Sequence, residues 1–591
     1  MSFRVPVQEI SHALRHGAGL DKMISRGLFP DLSDDLVEAV LEEAGRFASE
    51  EIAPLNRIGD QHGTPFENGV VRTPPGWKEA YQGWVDGGWM GLSASPEHGG
   101  QGLPLMLFAA TTEMWNQASM AFGIGPVLTV GAIEALATHG SPHLNKTYLP
   151  RLVSGEWAGT MNLTEPQAGS DLALLRTKAE RRDDGTYLIR GQKIYITYGE
   201  HDLTDNIVHL VLARLPDAPE GTRGISLFLV PKYLPDGEGR FSIRNDLRCT
   251  GVEHKLGIHG SPTCTMSYGE GEGAVGYLVG EENRGLNCMF TMMNNARLAV
   301  GLQGVAIAER AYQQALAYAR ERRQGKAPGA AGGEPSPIIL HPDVRRNLLT
   351  MKALTGAARI ICYETAHALD IARHGSDDEE RRVAQERANL LTPVAKAFST
   401  DVGVEVASLG VQVHGGMGFI EETGAAQHLR DARIAPIYEG TNGIQAIDLV
   451  TRKLGQSDGE AVRSYIAEMR ETVARLGTSD LPGLGEAGER LAAAIDALER
   501  ATLWITEHAS LDPAQVLASA TPYLRLFGIA AGGAGLARGA LAAAEAGAEG
   551  ARAQIELTRF FAEAIAPEAG ALAQIVTGGA EATLAADAAL A

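Results

Sequence analysis

The chain predicts an α+β protein in which two helical regions bracket a β region and a further helical layer closes the sequence. Three observations carry that reading. Apolar residues repeat at helical spacing from about Ser33 into the 140s, short runs rich in β-branched and aromatic residues follow Gly155, and helical periodicity resumes near Glu281. No helix of useful length separates the strand candidates, which disfavours a doubly wound parallel sheet. With 591 residues, against the roughly 150 that serve as a soft prior for one domain, two to four domains are expected.

Taken in order, Leu36, Val37, Val40, Leu41, Ala44, Phe47 and Ala48 trace one face of a helix, and Asp34 and Asp35 suit its N-terminus. Trp77, Tyr81 and Trp84 recur at i, i+4 and i+7 and predict a core stripe rather than an aromatic cage. A further helical stretch starts at about Leu105. Segments 186–197, 206–215 and 224–232, divided by Asp, Gly and Pro, predict strands. A long helix covers about 283–323, and Gly325–Pro337 reads as a flexible or extended connection. Two more long helices span about 344–375 and 380–413, and Gly455–Gly459 marks a boundary before an Ala-, Leu-, Glu- and Arg-rich helical tail. Within the tail, Leu526–Ala537 is short of the roughly 20 apolar residues that cross a bilayer. It predicts a close-packed helix, and no membrane span is expected. The GGAGLAR string at 532–538 lacks the third glycine and the preceding strand of a dinucleotide fingerprint.

The formal charge of -20 opposes binding to phosphate backbones, so nucleic acid is not an expected partner. Cys249, Cys264, Cys288 and Cys362 are too few and too irregularly spaced for a disulfide framework or a zinc site. The spacing of His254 and His259 does not place both on one helix face, so no metal is expected. The first residues lack a signal peptide's apolar core and include Glu9, which makes the cytoplasm the default location.

Four strings carry chemistry. In Met161–Asp171 (MNLTEPQAGSD), Pro166 and Gly169 force an irregular loop in which Thr164 and Ser170 offer hydroxyls. Such a loop cradles a polar cofactor, and it equally fits a β-domain turn. Lys193–Gly199 (KIYITYG) alternates Tyr195 and Thr197 on one strand face, suiting a flat ring system or an ordinary half-buried strand. In Gln412–Glu422 (QVHGGMGFIEE), glycines end a helix and admit another group to the backbone. His414 there reads as packed or solvated. In Ile437–Gln445 (IYEGTNGIQ), Glu439 sits in an apolar neighbourhood where desolvation raises a carboxylate pKa above about 4.3. A carboxylate so placed suits proton abstraction or a structural role.

The ordered combination of TEPxAGSD, a K-x-aromatic-I-T strand, an Arg before a long helix, Q-x-x-G-G and Y-E-G-T-N resembles the pattern of the acyl-CoA dehydrogenases over about residues 35–455. The resemblance implies an N-terminal α-helical domain, a middle β-barrel-like domain and a C-terminal four-helix bundle, with an extra C-terminal helical domain here. The corresponding divisions are 1–34 (N-terminal extension), 35–155, 156–280, 281–455 and 460–591. It also implies FAD, an acyl-CoA substrate, an electron-transfer flavoprotein as acceptor, and a homodimer in which each FAD meets two subunits.

By the same resemblance, Glu439 is the base for the substrate Cα proton while the flavin accepts the Cβ hydride. Met161, Leu163, Thr164, Gly169 and Ser170 form the first flavin loop, and Ser170 also borders CoA. Tyr195, Ile196 and Thr197 form the strand beside the ring, with Tyr195 where many relatives have Trp. Arg322 and Gln324, in ERRQG, resemble the pair that reaches a neighbouring subunit's FAD, although the usual Phe before the glycine is missing. Gln412, Gly415 and Gly416 serve the same neighbour. Thr441 and Gly443 match adenosine-side contacts, and Arg297 and Gly440 are implied on the substrate side.

The extra N- and C-terminal segments, with ITYGEHDLTDNIVHLVLARL and EHKLGIHGSPTC, resemble an extended bacterial subgroup of the family. That subgroup implies a short thioether substrate, 3-(methylthio)propanoyl-CoA, oxidised to its 2-enoyl form in dimethylsulfoniopropionate breakdown. Open beside it are a medium- or long-chain fatty acyl-CoA dehydrogenase of β-oxidation, an acyl-CoA oxidase, and a non-catalytic acyl-CoA-binding protein.

Overall fold

A computed structural model describes residues 3–330 and 333–591. The Gly325–Pro337 connection falls partly outside these, at positions 331 and 332. In chain order the principal helices are α1 (Asp34–Phe47), α2 (Trp77–Asp86), α3 (Leu105–Ala118), α4 (Met120–His139), α5 (Gly285–Glu321), α6 (Pro342–His374), α7 (Asp378–His414), α8 (Asn442–Asp448), α9 (Glu460–Gly477), α10 (Ala487–His508), α11 (Pro513–Glu545), α12 (Ala551–Ala564) and α13 (Glu568–Gly578). Between α4 and α5 run β1 (Trp157–Asn162), β2 (Lys178–Arg181), β3 (Tyr187–Thr197), β4 (Asn206–Arg214), β5 (Ile225–Pro231), β6 (Leu247–Val252), β7 (Thr263–Tyr268) and β8 (Ala274–Val279).

Compactness groups the chain into two units, Phe47–Leu103 with Ala118–Ala296, and Met1–Arg46 with Pro104–Gln117 and Arg297–Ala591. This grouping cuts across the linear divisions read from composition, because α3 and the N-terminal segment join helices that lie hundreds of residues later.

The first unit is built on an eight-stranded sheet ordered β6-β7-β3-β8-β5-β4-β1, with β2 pairing both β3 and β4. That double pairing closes β3-β8-β5-β4-β2 into a ring, the barrel-like form expected. Most pairs are antiparallel, and β1 runs parallel to β4. Strand β5 is buried along its whole length, and Ile189, Val211, Phe228, Val230 and Met266 contribute to the core. Trp77, Tyr81 and Trp84 are buried as the stripe predicts. Two of the polar tips are used: Trp77 Nε1 donates to the Tyr198 hydroxyl at 3.3 Å, and Tyr81 Oη to the Gly155 carbonyl at 2.9 Å.

The second unit is helical. The helical stretch expected from Leu105 comprises two helices: α3 belongs to this unit, and Ser119, in the β unit, caps α4 by accepting from the Phe122 amide. Asp370, on α6 and 2% exposed, accepts from the Leu105 and Met106 amides at 2.7 and 3.0 Å. It thereby satisfies the start of α3 from 264 and more residues away. Beneath it Arg359 pairs with Glu113 (2.7 Å) and Glu309 (3.0 Å), joining α3, α5 and α6 through a buried ion network. Helix α11 is buried against α6 and α7, and its glycines permit the approach: a Cβ on Gly528 would lie 2.3 Å from the Phe398 ring and one on Gly532 2.7 Å from Ala357 Cβ. This is the close-packed helix read from Leu526–Ala537. The boundary at Gly455–Gly459 is a kink, with Ser457 and Asp458 both at positive φ.

Candidate active site

In the β unit, the loop after β1 is held from below by an ion pair. Glu165 accepts from the Arg176 amide (2.7 Å), the Thr177 amide (3.0 Å) and hydroxyl (2.6 Å), and Lys193 Nζ (2.9 Å), which also reaches the Leu163 carbonyl at 3.0 Å. Burial opposes ionising Glu165, yet Lys193 and these donors hold its carboxyl at about 2, while burial brings Lys193 down to about 8. The sequence reading gave neither residue a role. Both lie in strings already singled out, Glu165 in MNLTEPQAGSD and Lys193 at the start of KIYITYG, but no local pattern shows that the two side chains pair.

Strand β3 then carries a bulge: Lys193 pairs with Met266 and Ile196 with Cys264, so two residues of β3 face one of β7. Tyr195 takes φ +59° there and is 60% exposed. Lys193 and Ile196 therefore both turn inward, and Tyr195 and Thr197 remain on the open side. Ile196, expected at the cofactor, has a side chain that is 2% exposed and belongs to the core, so its main chain is the part left for contact. Met161 is likewise buried. Thr164 is half-buried, Gly169 and Ser170 are exposed, and nothing lies within 4 Å of a Cβ built on Gly169.

In the helical unit, Glu439 stands in the turn before α8 with φ +56°, followed by Gly440 at +85°. Among the described residues its main-chain amide donates to no carbonyl or side chain. Burial raises the Glu439 carboxyl above its ordinary range, while Arg297 and Lys396 oppose the rise. The neighbourhood is thus not the apolar one expected, because two buried cations face it. Arg297, expected on the substrate side, is 7% exposed and lies 3.5 Å from Asp448, and among the described residues its Nε has no hydrogen-bond partner. Tyr438 donates to Gln303 Oε1, and Gln303 Nε2 to Asn116 Oδ1 at 3.1 Å. Gln445 Nε2 donates to the Glu439 carbonyl at 3.2 Å.

Helix α5 reaches α7 closely enough to bring these groups together because Gly301 and Gly304 lack side chains. A Cβ on Gly304 would fall 2.2 Å from the Ser399 carbonyl oxygen, and one on Gly301 2.6 Å from that of Ala395.

The remaining predicted residues are on the surface of the same unit. Arg322, Gln324, Gln412, Gly415 and Gly416 are exposed, and Arg322 donates to Gln324 at 3.2 Å. Gly415, at φ +60°, ends α7. Thr441 caps α8 by accepting from the Ile444 amide at 3.3 Å, and Gly443 is open. His414 is packed, with its ring stacked on Tyr318 at 4.5 Å.

Family comparisons follow the same segments. Acyl-CoA dehydrogenase models match as N-terminal domain (34–156), middle domain (160–270) and C-terminal domain (283–454), and an acetyl-CoA dehydrogenase C-terminal-like model matches 465–587. The chain belongs to the acyl-CoA dehydrogenase family. It is 49% identical over 580 residues to a 3-methylmercaptopropionyl-CoA dehydrogenase of Ruegeria pomeroyi, covering 97% of each chain. It is 34% identical to a butyryl-CoA dehydrogenase of Syntrophomonas wolfei, over 85% of this chain and 84% of that one. Its fold matches an acyl-CoA dehydrogenase of Bacillus anthracis complexed with FAD at a TM-score of 0.74 and 22% identity, over 93% and 89% of the two chains.

The protein is therefore an FAD-dependent acyl-CoA dehydrogenase that forms a trans-2-enoyl-CoA. The β unit fits the flavin: an exposed aromatic ring at a bulge, a neighbouring hydroxyl on Thr197 and an open loop at Thr164–Ser170 match a flat ring with a polar tail.

Proposed function

We propose that the substrate is 3-(methylthio)propanoyl-CoA, oxidised to 3-(methylthio)acryloyl-CoA, and that Glu439 takes the Cα proton. The observation that carries the substrate is the 49% identity to the R. pomeroyi enzyme across 97% of both chains, tail included. Glu439 has the environment of a base: half-buried, with its carboxyl raised by desolvation and kept accessible to ionisation by Arg297 and Lys396. Its unpaired amide donates to the thioester oxygen as negative charge develops there. Bound FAD supplies the hydride acceptor. Thr164, Ser170, Tyr195 and Thr197 hold and orient it, while Gly440 adjoins the base on the substrate side.

An electron-transfer flavoprotein is the proposed acceptor, and the cytoplasm the proposed location. The exposed run Met417, Phe419 and Ile420, beside Gln412, Gly415 and Gly416, supports a homodimer interface at the second FAD contact.

Anaerobic bleaching of bound FAD tests the reading across thioether, short, long and branched acyl-CoAs. The thioether substrate should give the highest kcat/KM, about tenfold or more above octanoyl-CoA, as pocket discrimination by a few methylenes allows. Faster bleaching by octanoyl- or palmitoyl-CoA would reassign the substrate. Hydrogen peroxide formed stoichiometrically in air would make the protein an oxidase, and purified protein without flavin absorbance would make it a binding protein.

A further inference from the structure

Lys396 is a buried cation that none of the sequence motifs assigns. It lies mid-way along α7 and is 0% exposed, where an uncompensated ammonium is strongly disfavoured. Its Nζ is spent on one turn of chain: it donates to the Gly440 carbonyl at 2.9 Å and to Asn442 Oδ1 at 2.8 Å. Asn442 is in turn tied to α7, its Nδ2 donating to the Ala397 carbonyl (3.1 Å), Thr400 Oγ1 (3.0 Å) and Asp401 Oδ1 (2.8 Å). The turn so gripped holds two successive residues in the left-handed region, Glu439 at +56° and Gly440 at +85°. A glutamate stays there only where its surroundings over-determine the conformation. The grip from α7 is that over-determination.

The charges around the turn come from several elements. Arg297 arrives from α5, Lys396 and Asp401 from α7, and Asp448 from α8, paired with Arg297 and with Arg452 at 2.6 Å. The Tyr438 hydroxyl is engaged by Gln303. Burial brings the Lys396 ammonium down to about 7, with Glu439 and Asp401 resisting and Arg297 adding to the fall.

We propose that Lys396 is a positioning residue for proton abstraction: its ammonium grips the Glu439–Asn442 turn, holding Glu439 and Gly440 in the left-handed region, and with Arg297 sets positive charge beside the base. The inference rests on Glu439 as the base. A cation removed from beside a carboxylate makes ionisation harder, so its loss moves the carboxylate's titration to higher pH.

The test is the pH dependence of anaerobic FAD bleaching in FAD-loaded full-length K396M, K396Q and K396R. K396M should move the acid limb up by about one pH unit, a roughly tenfold slower rate at a fixed pH on that limb. The gap to the parent should narrow above about pH 7, where Lys396 itself becomes neutral. K396R, which retains the charge, should restore the limb. K396Q, which keeps a donor without the charge, should share the K396M limb yet protect the 439–442 amides from hydrogen exchange better than K396M does. A merely structural lysine would lower stability without moving the limb. If the limb of K396M or, should that variant not fold, of K396Q coincides with the parent's, or if K396R titrates like K396Q, the proposal is overturned. E439Q separates the two readings: undiminished bleaching in E439Q removes the base itself, whereas inactive E439Q with an unmoved Lys396-variant limb removes only Lys396's role.

Discussion

Glu439 is the proposed base, and its fate under substitution is the sharpest residue-scale expectation. Glu439→Gln keeps the size of the side chain and cannot accept a proton. Anaerobic flavin bleaching should fall by about 10²–10⁴-fold with FAD content unchanged, as for loss of a general base; bleaching at the parent's rate would end that assignment. Since burial raises the parent carboxyl, and only the carboxylate accepts the proton, activity should rise with pH through a limb above the ordinary value of about 4.3. The string IYEGTNGIQ exposed this residue to a reader of the sequence. It did not expose Lys396, which sits 43 residues earlier in an unremarkable helical run, because an ammonium aimed at a distant carbonyl leaves no local pattern.

Elements meet where glycine allows it. Helix α5 lies against α7 through Gly301 and Gly304, and Gly403 of α7 in turn meets Gly304, whose oxygen would be 2.9 Å from an added Cβ. Gly304→Ala would press a methyl to within 2.2 Å of the Ser399 oxygen, a backbone atom that has to shift. Overpacking of this kind costs about 1–3 kcal/mol. The variant should unfold at a lower temperature in calorimetry, and an unchanged midpoint would show that the helices yield freely. Periodicity foretold α5, α6 and α7 because each is long and carries a strong repeat. It did not divide α3 from α4, since Ser119 interrupts an apolar run without a proline or glycine beside it, and it missed the β3 bulge, which arises from register with β7 rather than from the composition of KIYIT.

At the scale of the molecule, Arg322, Gln324, Gln412, Gly415 and Gly416 lie exposed, with Phe419 85% exposed next to the last three. Light scattering should give a dimer, and dilution that yields monomers should release flavin in parallel; a flavin-retaining monomer would contradict a shared site. The tail meanwhile is no separate appendage. Arg538 of α11 donates to the Gly17 carbonyl at 2.6 Å and pairs with Glu364 of α6, so the N-terminal segment, the bundle and the tail form one compact unit.

The sequence by itself determined the helix–strand–helix order, which is written in contiguous residues with a defined period, and the ordered strings at 161–171, 193–199, 412–422 and 437–445 that mark the family. Only the tertiary structure decided that Ile196 faces inward, that Asp370 starts α3, and that Arg297 and Lys396 surround Glu439 with charge rather than with apolar side chains. Those outcomes depend on burial and on partners far apart in the chain, and burial sets both the cost of a charge and the neighbours that offset it.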